Sequence, residues 1–339
     1  VTFNLFSFLV LSPKTTAVSI ACAKATAKVR GIPFFQYISE LFNSKSEQNQ
    51  KLMTTPVPLM NIVNGGKHAG SELAIQEFMI APVGAKDFTE SVRMGSEIYH
   101  ELASILSTKL GKTATNVGDE GGFVPTTIKS TESVLSYICD AVKRLGYGIG
   151  SEVVIGIDCA ASNFWNPTTA DYTIDEGSLT SGELLDYYFS LCERYPIKII
   201  EDPFREDDLD SFVQITTKLG KKTRIVSDDI FVTNKTRVQE GIEKGAANSI
   251  IIKVNQVETI RAAASNSWQI IASHRSGETN DDRLADFSVG IGADAVKAGA
   301  PARGERIVKY NRLMQIEQIR TDPSWFSVFK SGSLLSDDL

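Results

Sequence analysis

From residue 150 onward, short apolar runs keep ending on a charged or polar residue. VVIGID ends on Asp158, IKIIE on Glu201, RIVSD on Asp228, SIIIK on Lys253, IIASH on His274 and DAVK on Lys297. Continuous Ile/Val runs of this length are the mark of strands buried on both faces, as in parallel sheets. The polar ends stand 43 and then 27, 25, 21 and 23 positions apart. After the long first step, each interval is close to one strand–helix unit. Repeated units of this kind predict a (β/α)8-type barrel, with its active site at the C-terminal strand ends. An open doubly wound sheet uses the same units, but no glycine-rich nucleotide turn follows any of these strands.

The earlier part of the chain reads differently. Thr15–Arg30 has a helical pattern, with Thr15 or Thr16 as cap and Gly31 and Pro33 as stop. Phe34–Phe42 predicts a second, short helix, and the polar run SKSEQNQ at Ser44–Gln50 a linker. Residues 1–50 therefore form an appendage, and the barrel begins after them. PLMNIVNGG and LAIQEFMIAP predict two strands, followed by amphipathic helices over about Lys86–Lys109 and Ser130–Leu145.

Composition narrows the class. The chain has 339 residues, 42% hydrophobic and 22% charged, enough for one large domain or two ordinary ones. A net charge of −6 argues against a nucleic-acid partner. Four cysteines without CxxC spacing fit free thiols in a reducing compartment, and hence a cytoplasmic protein. The apolar stretch Phe3–Leu11 is too short to span a bilayer and lacks the flanks of a signal peptide, so no membrane partner is expected. The sequence begins with Val, which leaves open a longer product.

Asp158, Glu201 and Asp228 end three consecutive predicted strands. Three converging acids repel one another unless a cation joins them, and carboxylates suit Mg²⁺. Lys253 and Lys297 follow on later strands. Either is a candidate base if its environment lowers its pKa from about 10.4 towards 7; either also reads as a simple partner of an acid. Ser273–Gly277, SHRSG, offers hydroxyl, guanidinium and backbone N–H groups suited to a phosphate. Glu120 in a glycine-rich loop and Glu77 in an apolar strand are candidate acids. His68 lies in NGGKHAG, a loop fit for a lid.

Taken together, NIVNGGKHAGSELAIQEFMIAP, NVGDEGG, IGIDCAAS, IIEDPF, SDDIFVTN, IIKVNQ, SHRSGET and KAGAPARGER resemble the enolase (phosphopyruvate hydratase) family, in family order across Pro56–Glu317. The resemblance implies an α/β fold: an enolase-type (β/α)8 TIM-like barrel with a ββαα start over residues 51–339. Before it, residues 1–50 would be the helical remnant of an N-terminal α+β domain. It implies Mg²⁺-dependent, reversible conversion of 2-phosphoglycerate to phosphoenolpyruvate, the lyase step of glycolysis and gluconeogenesis, in a cytoplasmic homodimer. Asp158, Glu201 and Asp228 would hold Mg²⁺, and Lys253 would be the base. Glu120, supported by Glu77, would be the acid. Lys297 would hold the substrate carboxylate, and Arg275 and Ser276 the phosphate. Ser273 and His274 would line the site, and His68 and Gln76 would close over it.

The sequence departs from the family in four places. Only the closing helices of the N-terminal domain have a counterpart. Val257–Gln269 leaves 13 residues between two strands, near the lower bound of about 10–12 for a crossover, which would shift the strands of Lys253 and His274. Asn163 stands where the family usually has Glu, and Asp322–Leu339 drifts from the pattern. These departures leave a second reading open, a catalytically impaired paralogue that binds without turnover.

Overall fold

The computed structural model describes residues 13–44, 53–175, 177–231, 235–253 and 257–319. The apolar Phe3–Leu11, most of the expected linker and the drifting Asp322–Leu339 lie outside the described residues. Eight strands close into a barrel: β1 (Val57–Asn64), β2 (Glu77–Ala81), β3 (Val154–Asp158), β7 (Ile197–Glu201), β8 (Arg224–Ser227), β9 (Ser249–Lys253), β10 (Gln269–Ser273) and β11 (Ala295–Lys297). β2 runs antiparallel to both β1 and β3; every other pairing in the barrel is parallel. Two helices, Phe88–Leu110 and Thr131–Arg144, lie between β2 and β3. This is the ββαα opening, and closure rules out the open doubly wound sheet.

The long first step between polar strand ends has a simple cause. A small antiparallel meander, β4 (Trp165–Asn166), β5 (Asp171–Ile174) and β6 (Gly177–Leu179), is inserted after β3. The helix after it, Ser181–Arg194, begins at a capping box. Thr180 Oγ1 accepts from Glu183 N, and Glu183 reaches back to Thr180 N.

The short crossover does not disturb its strands. Its helix occupies Val257–Ser265, and Ser267 takes a left-handed φ of 61° to turn the chain tightly. β9 and β10 then pair in unbroken parallel register from Ser249–Gln269 to Lys253–Ser273. The expected shift of the Lys253 and His274 strands is thus corrected. The first helix is also corrected: it spans Pro13–Val29, so Thr15 and Thr16 lie within it, and Pro occupies its first turn, where a missing N–H costs nothing. Gly31, at φ 67°, stops it as expected. The second helix, Phe34–Asn43, seats Phe35, Ile38 and Phe42 in the core. Phe35 N donates to Asp286 on the helix Arg283–Gly290, and Ile38 packs where Gly290 leaves no room for a side chain.

Two apolar cores form. One fills the space between barrel and helices; the other fills the barrel itself with Leu59, Met79, Val154, Ile199, Val226, Ile251, Ile271 and Ala295 among others. In SIIIK, Ile250 and Ile252 face the helices and Ile251 faces the barrel interior. The side-chain period of two then turns Lys253 inward. The same count from Leu59, Val154, Ile199, Val226, Ile271 and Ala295 turns Asn61, Asp158, Glu201, Asp228, Ser273 and Lys297 inward at one rim. β2 runs the other way, so counting back from Met79 brings Glu77 to that rim too.

Candidate active site

These inward residues, Asn61 apart, line a cavity of about 240 Å³ at the C-terminal mouth of the barrel. Glu77, Glu120, Asp158, Glu201, Asp202, Asp228 and Asp229 line it, against Lys253, Lys297 and Arg275. Gln76, Ser273, His274 and Ser276, each named as a candidate from sequence, line it as well. His68 lies in the short helix Gly66–Ala69, and its side chain is outside the description.

The deep layer is built around Lys297, 4% exposed in its side chain. Its Nζ donates to Asp158 Oδ2 at 2.9 Å and Glu201 Oε2 at 2.8 Å, and lies 3.2 Å from Glu77 Oε2. The last contact has ion-pair distance without hydrogen-bond alignment, so that oxygen has no hydrogen-bond donor. Burial disfavours the ammonium, but the charges of Asp158, Glu201, Glu77 and Glu120 outweigh it and hold Lys297 well above the usual lysine range. Burial, with the neighbouring charge of Asp158, pushes Glu201 well above the usual carboxylate range.

Glu77 and Glu120 form an unequal pair. Burial and the Glu120 charge raise Glu77 well above the carboxylate range. Burial also works against an ionised Glu120, but His274, Lys297 and hydrogen bonds from Glu77 and Asn61 pull it down to about 2. Asn61 Nδ2 donates to Glu120 Oε2 at 2.9 Å. The two carboxyls titrate as a coupled pair, with burial favouring the neutral form of Glu77. Burial lowers the His274 imidazole to about 4, so it is neutral at pH 7.

Glu120 is held by its glycine loop. Gly118 N donates to Gly122 O, and Gly121 takes φ 86° at the turn. A Cβ on Gly122 would stand 2.5 Å from Asn64 Oδ1, so only glycine lets the loop press against β1.

The mouth layer is the pair Lys253–Asp228, 16% and 17% exposed. Lys253 Nζ donates to both carboxylate oxygens, at 2.8 and 2.6 Å. Asp202 supports this layer and was not singled out from sequence. At φ 41°, it accepts from Asp228 N at 3.0 Å and Asp229 N at 2.9 Å. The doubled acids in IIEDPF and SDDIF were the available signal. Asn163, the departure from the family pattern, donates to Gln76 Oε1 at 3.3 Å.

Among the described residues, no three acids, histidines or cysteines close around one point at metal-ligand spacing. Lys297 Nζ lies between Asp158 and Glu201, and Asp228 turns to Lys253. The donor set nonetheless fits a hard divalent cation. It is all oxygen, largely buried, and in a cavity whose acidic lining outnumbers its cations, with burial and mutual repulsion raising Glu201 and Asp202.

Comparison with known proteins agrees with this geometry. A family model described as "Enolase, C-terminal TIM barrel domain" matches residues 52–331. An enolase of Methanocaldococcus jannaschii is 48% identical over 309 residues, spanning 89% of this chain and 69% of its own length. Enolase B of Dictyostelium discoideum is 44% identical, spanning 89% and 70%, and an enolase of Corynebacterium kroppenstedtii is 42% identical, spanning 91% and 71%. Relatives this similar over this much of their length, meeting on the barrel that carries these strand-end acids and lysines, make the chain a member of the enolase family.

Proposed function

We propose that this chain is a phosphopyruvate hydratase, a carbon–oxygen lyase that reversibly dehydrates 2-phosphoglycerate to phosphoenolpyruvate with Mg²⁺. The observation that carries this reading is the separation of two lysines. Lys297 is buried among carboxylates, while Lys253, more exposed, stands on β9 across the barrel from the strand of Glu77. That division suits removal of a proton at one face of the substrate and delivery of one at another.

Asp158, Glu201 and Asp228 would hold Mg²⁺, which when bound supplies positive charge beside the substrate carboxylate. Lys253 takes the proton from C2. Lys297 meets the negative charge that builds on the carboxylate as C2 loses its proton. The Glu77–Glu120 pair delivers its proton to the hydroxyl leaving C3. Arg275 and Ser276 bind the phosphate, Ser273 and His274 shape the wall, and His68 and Gln76 cover the substrate.

We take residues 51–339 as the barrel domain, supported by the span of the family match, and residues 1–50 as a segment that precedes it. A cytoplasmic homodimer accompanies this reading. The four cysteines are free, and among the described residues no helix is long and apolar enough to cross a membrane. Phosphoenolpyruvate formation from 2-phosphoglycerate, followed by ultraviolet absorbance with Mg²⁺ and with chelator, tests the function. Metal-dependent product formation is expected; a folded, Mg²⁺-binding chain that forms no product would sink the proposal.

A further inference from the structure

Arg306 is 1% exposed and sits on the first turn of the helix Gly304–Ile319. Its hydrogen bonds go to neutral acceptors. Nη1 lies 2.6 Å from His274 Nδ1 and donates to Arg275 O at 2.9 Å. Nη2 donates to Asp119 O at 2.9 Å and to Ser276 O at 2.6 Å. A fully buried guanidinium that spends its fork on one imidazole and three carbonyls joins two loops that sequence keeps far apart. One loop carries Glu120; the other carries His274, Arg275 and Ser276. Gly299 makes room for this, since a Cβ there would lie 2.9 Å from Arg306 Cδ.

The contact with His274 has a chemical consequence. Arginine has only donors and stays protonated in proteins. The ring nitrogen facing it must therefore be the acceptor, and a neutral imidazole then carries its hydrogen on the other nitrogen. That nitrogen, Nε2, lies 3.4 Å from Glu120 Oε1, at ion-pair distance but without hydrogen-bond alignment, and has no hydrogen-bond partner among the described residues. Asn61 donates to the other oxygen of Glu120.

We propose that Arg306 is a positioning residue that fixes His274 as the Nε2–H tautomer, with that nitrogen beside Glu120, while locking the acid loop to the Arg275–Ser276 loop. The inference deepens the proposed hydratase reading and rests on it for its catalytic meaning, but the tautomer itself is independent of turnover. Lysine in place of Arg306 offers a single nitrogen, which cannot reproduce the planar fork that spans all four acceptors.

The chain holds three histidines, so imidazole signals are resolvable. Long-range ¹H–¹⁵N spectra of ¹⁵N-labelled protein at pH 7, with His68→Gln and His100→Gln used to assign His274, read the tautomer directly. The expected result is Nε2–H in the wild type. Arg306→Met, which keeps the stem and removes the fork, is expected to give a mixture of tautomers and at least a tenfold loss of kcat. Arg306→Lys is expected to restore the tautomer and only part of kcat. An Nδ1–H tautomer in the wild type would overturn the proposal even where the variant fails to fold, and so would an unchanged Nε2–H tautomer in folded Arg306→Met. Nε2–H in a wild type without turnover would count against the hydratase reading alone; Nδ1–H in an active wild type would count against Arg306 alone.

Discussion

Two lysines on neighbouring parts of one rim do opposite jobs because their surroundings differ. Lys297, on β11, is 4% exposed and stands among three carboxylates, Asp158, Glu201 and Glu77. Lys253, on β9, is 16% exposed and pairs with Asp228, 17% exposed. The sequence places both at strand ends with the same inward period, so strand position alone does not separate a charge clamp from a base. Depth and the number of neighbouring acids do. A buried ion group is stable only when its charges balance, whereas a pair at the mouth is free to exchange partners.

Breaking the deep layer should cost most. Lys297→Met leaves several buried carboxylates without their cation. It is expected to lower unfolding free energy by about 3–5 kcal/mol, measured by denaturant titration, and to remove turnover. Lys253→Ala should invert that pattern. Turnover falls about 10²–10⁴-fold, while stability stays within about 1 kcal/mol and calorimetry still detects Mg²⁺ binding. A large stability loss in this variant would show that the two layers are not distinct.

The deep layer should also announce itself in pH dependence. His274 is held neutral, with a folded value of about 4 against an ordinary 6.5. The unfolded chain therefore binds the extra proton first as pH falls. The stability from a neutral His274 is complete above pH 6.5 and is lost as pH drops towards 4, amounting to about 3 kcal/mol. Denaturant titrations at pH 7 and pH 4 should show this loss in the wild type and not in His274→Gln. Glu77→Gln has the smallest structural effect, because burial favours the neutral form of Glu77 and the amide has the same shape. Stability should move by no more than about 0.5 kcal/mol, while product formation falls about 10²-fold for want of a proton to deliver.

The barrel was legible because its signal is local. Runs such as IKIIE and SIIIK carry their own burial, and the period of two sends their last residue to the rim. Asp158, Glu201, Lys253 and Lys297 could all be found this way. What they touch could not. Lys297 meets Asp158 across 139 residues of chain, and the pairing of Asp228 with Lys253 depends on how β8 ends. Arg306 lay inside the quoted run KAGAPARGER, but its acceptors are backbone carbonyls on distant loops, which leave no mark in residue type. The 13-residue crossover misled for a related reason. Length suggests strain, whereas a single left-handed Ser267 lets a nine-residue helix close the turn with register intact.

The division between base and acid sides is tested most directly by exchange at C2 of 2-phosphoglycerate in D₂O with Mg²⁺, followed by proton NMR. The wild type should replace the C2 proton with deuterium, Glu77→Gln should still do so while forming little product, and Lys253→Ala should not. Exchange by Lys253→Ala at the wild-type rate would contradict the assignment of the mouth lysine as the base, and with it the division of labour between the two layers.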